Sequence, residues 1–466
     1  MNIIDLITDK NLLGEHFDNP SWDNWKALLK AFYGLPMDDI EHRRYKNLTK
    51  RDSKPAEPFN ELWLVIGRRG AKSRMAGLIA VYEALFVDHE SRLSAGEVAT
   101  ILVLANDRKQ ARTVFRYIQG FIHSNPMFEQ LIVKETNETI EFTNRTCIEI
   151  ATSSFRSTRG YTMAAVICDE IAFWRTDDSA NPDAEIIQAI RPALTTLNGK
   201  LIALSSPYSR RGELYRNYQK YFGSNDPSVL VAQAPTTTMN PTIPKRIIDD
   251  AKERDLPSAL AEYEAQFRND IESFIDVEQL AKLTRSEPPA LPYDGRFKYY
   301  AYVDPNGGGA DGFSLCISHK ENNLIVVDLV TERIKMNPAN VVREYCTILR
   351  KYFIHEVTGD RFSGHWVEQE FLRHGIKYNF SKHNRTELYS DFLSVANSGS
   401  IELPPTPNDK LLKQFNDLER RTTRSGRDII DHSPGTHDDL SNAVAGVASL
   451  FNKSQYLFIT GIRSVC

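Results

Sequence analysis

LWLVIGRRGAKSRMAGLIAVYEALF (62–86) passes from an apolar run, through a turn holding two glycines and three basic side chains, into a helical pattern. A strand, a loop ending in Lys-Ser and a helix form the context that a phosphate-binding loop requires. Backbone N–H groups at a helix N-terminus favour an anion. On this reading Gly67, Arg68, Arg69, Gly70, Ala71, Lys72 and Ser73 surround the phosphates of ATP. Lys72 is placed to reach the β- and γ-phosphates, and Ser73 offers its hydroxyl to Mg²⁺. The standard pattern has glycines at 66 and 71, where this chain has Ile66 and Ala71; Gly67 and Gly70 are each offset by one place. The plainer reading of the same residues is a glycine-rich basic turn.

Downstream, AAVICDE (164–170) runs five apolar residues into two acids, the pattern of a Walker B strand. Asp169 would hold Mg²⁺, and Glu170 would orient and deprotonate the attacking water. An isolated Asp-Glu at a strand end is commonly just a solvated turn, but here it follows a Lys-Ser loop in the same half of the chain. ALSSPY (203–208) ends the next strand, and Ser205 and Ser206 are expected either to sense the γ-phosphate or to be a polar strand end before Pro207. SSFRSTRG (153–160) offers Arg156 and Arg159, for transition-state charge or for a DNA contact or surface ion pair. The strand-like runs 62–67, 99–105, 147–152, 164–170 and 200–206 alternate with helical patterns such as Ser73–Phe86 and Arg108–His123. That alternation predicts a mostly parallel sheet with helices on both faces.

Bulk properties bound what the rest can be. The chain has 466 residues, enough for two or three domains, with 41% hydrophobic and 25% charged residues, an ordinary globular composition. A formal net charge of -4 means that any DNA contact must come from local basic surfaces. The five cysteines have neither zinc-ligand spacing nor a disulfide framework and fit a reducing compartment. MNIIDLITDK carries acids where a signal peptide needs bases, and no apolar run approaches membrane-spanning length. A soluble, cytoplasmic protein with no membrane partner is expected.

Residues 241–295 read as a connector: the loop QAPTTTMNPTIP (233–244) leads into it, Lys245–Lys282 is charged and mostly helical, and SEPPALPYDG closes it. The ATPase-like part then covers 1–240 and a second domain covers 296–466. That domain restarts with three closely spaced strands, KYYAYVDP (298–305), FSLCISH (313–319) and NLIVVDLVTE (323–332). A helix (339–353), a strand ending at VTGD (357–360), the strand IKYNF (376–380) and a last helix from about His437 follow. Three antiparallel strands and then alternating helices and strands is the order of an RNase H-like fold. Asp304 ends the first of these strands, Asp360 the fourth, and Asp438 and Asp439 open the last helix. That fold gathers these places at one sheet edge, where clustered carboxylates repel unless a cation neutralises them. Hard oxygen ligands suit Mg²⁺ or Mn²⁺, and two such ions can stabilise the attacking and leaving oxygens of a phosphodiester. Taken singly, each Asp is equally at home as a strand-end or N-cap residue. Neighbours on a helix point about 100° apart, so only one of Asp438 and Asp439 faces the metals well; Asp438 is slightly favoured, and both are retained. His437 is a possible helper or a polar neighbour, and Gly307, Gly308 and Gly309 a close-approach loop or a flexible turn.

The ordered motifs SWDNWKALLKAFYGLP, GRRGAKS, VLANDRKQA, TRGYTMAAVICDE, ALSSPY, VDPNGGG, TGDRF and HDDLSNAVAG resemble those of the large terminase subunits of tailed bacteriophages over nearly the whole chain. The resemblance implies a motor that hydrolyses ATP to drive double-stranded DNA into a procapsid, and a nuclease that cuts concatemeric DNA. It further implies a small terminase subunit, a portal protein, a homo-oligomeric ring and the host cytoplasm as setting. By position it assigns a loop arginine role to Arg68 and a trans-acting arginine finger to Arg159. The adenine-side position, where the family often has Gln after an aromatic residue, here has Trp25 followed by Lys26, which leaves the adenine contacts open. Two other classes compete. One is a P-loop DNA translocase or helicase-like ATPase whose RNase H-like domain binds without cleaving. The other is a resolvase or transposase with an accessory ATPase, which would need a sequence-reading domain that no zinc finger or clear helix-turn-helix here supplies.

Overall fold

The computed structural model describes residues 1–153, 160–174, 182–305, 312–360, 365–422, 428–433 and 436–451. The chain forms two compact units, Met1–Thr176 with Asn181–Asn269, and Asp177–Ala180 with Asp270–Cys466. The break at 269/270 falls inside the stretch expected to connect two domains. Helices Lys245–Arg254 and Leu256–Glu264 belong to the first unit and Val277–Leu283 to the second. Lys245–Lys282 is mostly helical, as expected, with a break at 265–276, where Ala265 adopts a left-handed cap and strand β9 (Ile271–Ser273) intervenes.

The first unit is built on eight strands: β1 (Glu61–Ile66), β2 (Ala99–Ala105), β3 (Ile132–Glu135), β4 (Thr139–Phe142), β5 (Thr146–Thr152), β6 (Thr162–Asp169), β7 (Lys200–Ser205) and β8 (Val229–Ala234). Their order across the sheet is β3-β4-β5-β2-β6-β7-β1-β8, parallel from β5 to β8 and antiparallel at β3-β4-β5. Both faces are covered, and the period-2 alternation decides which side chain goes where. Leu62, Leu64, Ile66, Ile101 and Val103 pack with the helices Asp23–Phe32, Lys72–Leu85 and Arg108–His123. Trp63, Val65, Leu102 and Leu104 pack on the opposite side with Ile187, Ile190 and Leu214. Helix Arg108–His123 begins at an Asp107 cap, whose carboxylate accepts the Gln110 N–H, and buries Ala111, Val114, Phe115, Ile118 and Ile122 at helical spacing. Because β7 lies between β1 and β6, the C-terminal ends of three parallel strands bring Gly67, Ser205 and Asp169 to one edge.

In the second unit β10 (Tyr300–Asp304), β11 (Phe313–Glu321), β12 (Leu324–Arg333), β13 (Glu356–Gly359), β14 (Lys377–Phe380) and β15 (Ile401–Glu402) form a sheet of order β14-β13-β10-β11-β12-β15. β10, β11 and β12 are antiparallel; β13 and β14 continue parallel to β10. This is the RNase H-like order. Helix Pro338–Lys351 covers one face through Val341, Tyr345 and Leu349. Helix Asp439–Ser449 covers the other through Ala443, Val444 and Val447. Gly446 is needed there, since a Cβ would lie 2.4 Å from the Tyr302 ring. The two acids open this helix as expected, with Asp438 in the cap position and Asp439 as its first residue. A second small sheet, of order β17-β16-β9, adds β16 (Leu418–Thr422) and β17 (Asp428–His432). Among the described residues no helix is long and apolar enough to cross a membrane.

Candidate functional site

The loop between β1 and helix Lys72–Leu85 is braced from three sides. Trp25 is buried and donates its indole N–H to the Gly70 carbonyl at 3.1 Å. Thr236 Oγ1 donates to the Arg68 carbonyl (2.7 Å) and Asn240 Nδ2 to the Arg69 carbonyl (3.0 Å). Arg69 and Ala71 have φ of +67° and +68°, the alternation that cups successive N–H groups around an anion. Gly67 and Gly70 admit no side chain: a Cβ would lie 2.4 Å from Thr236 Oγ1 at one and 2.6 Å from Ile66 Cγ2 at the other. Ala71, by contrast, tolerates its methyl group while holding a left-handed backbone that costs a non-glycine residue about 1 kcal/mol. Ala71→Gly is therefore expected to leave the thermal midpoint unchanged or slightly raised, because relief of that strain offsets the added chain entropy. A midpoint several degrees lower in a melting experiment would contradict the positive φ.

Inside the loop, Lys72 is buried and its Nζ donates to the Ile66 carbonyl (3.1 Å) and to Ser206 Oγ (3.3 Å), and lies 3.3 Å from Glu170 Oε1. Glu170 itself sits at φ +51°. Its Oε2 accepts from Ser205 Oγ at 2.9 Å and from the Ser206 N–H at 3.1 Å. Ser73 Oγ donates to Asp169 Oδ2 at 3.3 Å. Burial first, and then the neighbouring Glu170 carboxylate, push the Asp169 carboxyl up to about 7, against the pull of Lys72 and Ser73. Asp169 Oδ1 is buried with no hydrogen-bond partner among the described residues. A divalent cation beside Ser73 fits both facts. The structure therefore brings Lys72, Ser73, Asp169, Glu170, Ser205 and Ser206 together. It does not bring Arg68 to them: that guanidinium is 60% exposed and paired with Glu262 at 2.8 Å. Arg156 and Arg159 lie outside the described residues.

In the second unit, Asp304 Oδ2 accepts from Asn442 Nδ2 at 2.7 Å. Burial pushes its carboxyl up to about 8, and Asp438, Asp439 and Asp360 add to the rise against the Asn442 bond. The four acids thus share one electrostatic neighbourhood. Asp438 is buried and accepts the Tyr389 O–H at 2.8 Å, with Arg385 Nη1 at 3.6 Å. Asp439 accepts the Gly312 N–H at 2.9 Å. Each of the paired acids is thus bound to a different neighbour, and the contacts do not choose between them. A carboxyl raised first by burial and then by three neighbouring acids is the charge pattern a cation would relieve. Yet among the described residues no three His, Cys, Asp or Glu side chains are grouped closely enough to hold a metal ion. Gly307, Gly308 and Gly309 lie outside the described residues. Glu262, Asn240, Tyr389 and Arg385 escaped sequence reasoning. Arg68 and Glu262, for instance, are 194 residues apart with no local signal joining them.

The family model described as "Uncharacterized protein MJ0330, N-terminal P-loop domain" matches residues 19–265, more than half of the chain. No curated protein matches the sequence. Among solved structures, the large terminase of bacteriophage HK97 is similar at 15% identity and a TM-score of 0.41, covering 92% of this chain and 99% of that one. The large terminase of a thermophilic bacteriophage is similar at 11% identity and a TM-score of 0.40, covering 92% and 98%. The large terminase nuclease of thermophilic phage G20c is similar at 16% identity and a TM-score of 0.33, covering 38% and 97%. At identities and scores this low the likeness carries no weight on activity, which rests on the chain's own residues.

Proposed function

This chain belongs to the family of the MJ0330 N-terminal P-loop domain, and we propose that it is the large subunit of a tailed-phage terminase, a DNA-packaging ATPase that also cuts DNA. The observation that carries the ATPase half is the joining of Lys72, Glu170, Ser205 and Ser206 across three adjacent strand ends. Phosphate binding competes for Lys72, which leaves Glu170 held by Ser205 Oγ and the Ser206 N–H and directed at the attacking water. Ser73 and Asp169 would hold Mg²⁺, which supplies charge neutralisation to the transferring phosphoryl group. The serines at the end of β7 then link the state of the γ-phosphate to the orientation of the base.

For the second unit we propose a metal-dependent endodeoxyribonuclease centred on Asp304, Asp360 and one of Asp438 and Asp439. These acids would hold Mg²⁺ or Mn²⁺, which stabilises charge on a phosphodiester. Asn442 and Tyr389 orient the carboxylates. One observation favours a second reading, a DNA translocase whose RNase H-like domain binds without cutting: the acids are not closed into a ligand set as they stand. The proposed partners are double-stranded DNA, a small terminase subunit, a portal protein and further copies of the chain in a ring, in the host cytoplasm. The domain roles proposed are motor for 1–240, connector for 241–295 and nuclease for 296–466.

Supercoiled plasmid incubated with the purified protein and Mn²⁺, beside a measurement of ATP turnover, tests both halves. Relaxed or linear plasmid together with turnover supports the proposal; turnover with plasmid left supercoiled selects the non-cleaving reading. If Arg159 acts on a neighbour's ATP, then mixing Arg159→Ala with Glu170→Gln subunits restores some turnover, since one interface in a mixed ring pairs an intact base with an intact arginine. No rescue in mixed rings shown to form would place Arg159 in cis or on DNA.

A further inference from the structure

We infer that a groove on the second unit seats a single strand of DNA, its phosphates on lysines and its bases on aromatic rings, directed toward the acidic cluster. The groove, about 1410 Å³, runs along β10, β13 and β14 to the end of helix Asp439–Ser449. Four lysines line it, Lys298, Lys320, Lys377 and Lys382, against a single carboxylate, Glu356. All four are exposed, and none is in an ion pair among the described residues. In a chain of net charge -4, this is a local strip of net positive charge, as a polyanion's backbone requires.

The rings are the second observation. Tyr293 and Phe353 are 39% and 66% exposed with ring centroids 4.8 Å apart, and Tyr300 meets Phe451 at 5.0 Å. Phe353 has φ +54° because it ends helix Pro338–Lys351, the Ile354 N–H returning to the Leu349 carbonyl at 3.0 Å, and its ring is left outside the core. Lysines interleaved with aromatic rings, of which Tyr293 and Phe353 are exposed, suit unpaired bases, whose faces are free to stack, whereas a duplex hides them. The direction is given by the groove wall: Tyr378 donates its O–H to the Asp360 carbonyl at 2.8 Å, and the Ser381 N–H donates to the Gly359 carbonyl at 2.8 Å. A strand lying in the groove ends beside Asp360.

The direction of the strand rests on the nuclease reading of the acidic cluster, but binding in the groove does not. The test is fluorescence anisotropy on the full chain, without ATP or divalent metal, at several salt concentrations. The probes are a labelled oligothymidylate of about a dozen nucleotides, a duplex of the same length, and polyglutamate as competitor. The wild type is expected to bind the single strand in the groove, beside the duplex binding proposed for the first unit. Lys377→Gln with Lys382→Gln should weaken binding and reduce the salt slope by about 0.7 per lysine. Phe353→Ala should weaken binding about tenfold with the slope unchanged. Because these side chains are exposed, folding does not depend on them. Variants that bind the oligothymidylate like the wild type, variants that lose duplex binding to the same degree, or displacement by polyglutamate would each overturn the inference. Single-strand binding lost in these variants while the wild type fails to cut plasmid in Mn²⁺ supports the groove and sinks the nuclease reading alone.

Discussion

Lys72→Ala and Glu170→Gln each reduce ATP hydrolysis by on the order of 10²-fold or more, because phosphoryl transfer depends on positioning and electrostatics rather than covalent chemistry. The two variants differ in binding. Lys72 supplies the charge that the phosphates meet, so its loss weakens nucleotide binding as well. Glu170 is held by Ser205 and Ser206 on one oxygen and faces Lys72 with the other. Glu170→Gln removes the base and the ion pair to Lys72 together, so nucleotide binding is retained or strengthened while turnover is lost. Single-turnover hydrolysis with equilibrium nucleotide binding separates the two. Normal turnover in both variants sinks the assignment of the first site.

Asp304→Asn and Asp360→Asn have the second large effect, a loss of metal-dependent plasmid cleavage by on the order of 10²-fold or more, with ATP turnover nearly intact. The separation follows from the two compact units: the acids and the phosphate loop belong to different cores. A pH signature accompanies it. In the metal-free fold the Asp304 carboxyl is raised from 3.8 to about 8 by burial and the neighbouring acids. The folded state therefore binds more protons than the unfolded state between those values, and stability falls as pH rises through that window. Asp304→Asn flattens the fall, and so does Mn²⁺, since a bound cation neutralises the ionised cluster. Thermal unfolding from about pH 5 to about pH 9 reads both. If Asp304→Asn cuts at the wild-type rate and keeps the same pH dependence, the acids are structural strand-end and cap residues.

Some of this was legible in the sequence for identifiable reasons. β2 is apolar at every position but one and helix Arg108–His123 has both an Asp cap and a clean apolar stripe, so their bounds match the sequence reading residue for residue. The hairpin of β3 and β4 went unread because Ile132–Glu135 is mostly exposed and half charged, which gives little alternation to see. β16 (LERRT) and β17 (DIIDH) are polar strands, and β16 pairs with β9 across about 150 residues of chain, beyond any local propensity. At the sites, the residues that carry charge declared themselves through loop and strand-end context, whereas those that orient them did not. Trp25 is an example: beside an unanswered question about adenine contacts, it proves to be buried against Gly70 as a strut of the phosphate loop. Arg68 is another, drawn away from the cluster by Glu262 on a helix that no motif marks.

The central claim is that hydrolysis in the first unit moves double-stranded DNA, and displacement of a labelled third strand from a triplex tests it most directly. The purified protein with ATP should displace the third strand, Glu170→Gln should not, and Asp304→Asn should do so as the wild type does. Verified ATP turnover with no ATP-dependent displacement, on DNA long enough to seat an assembled ring, would contradict the account.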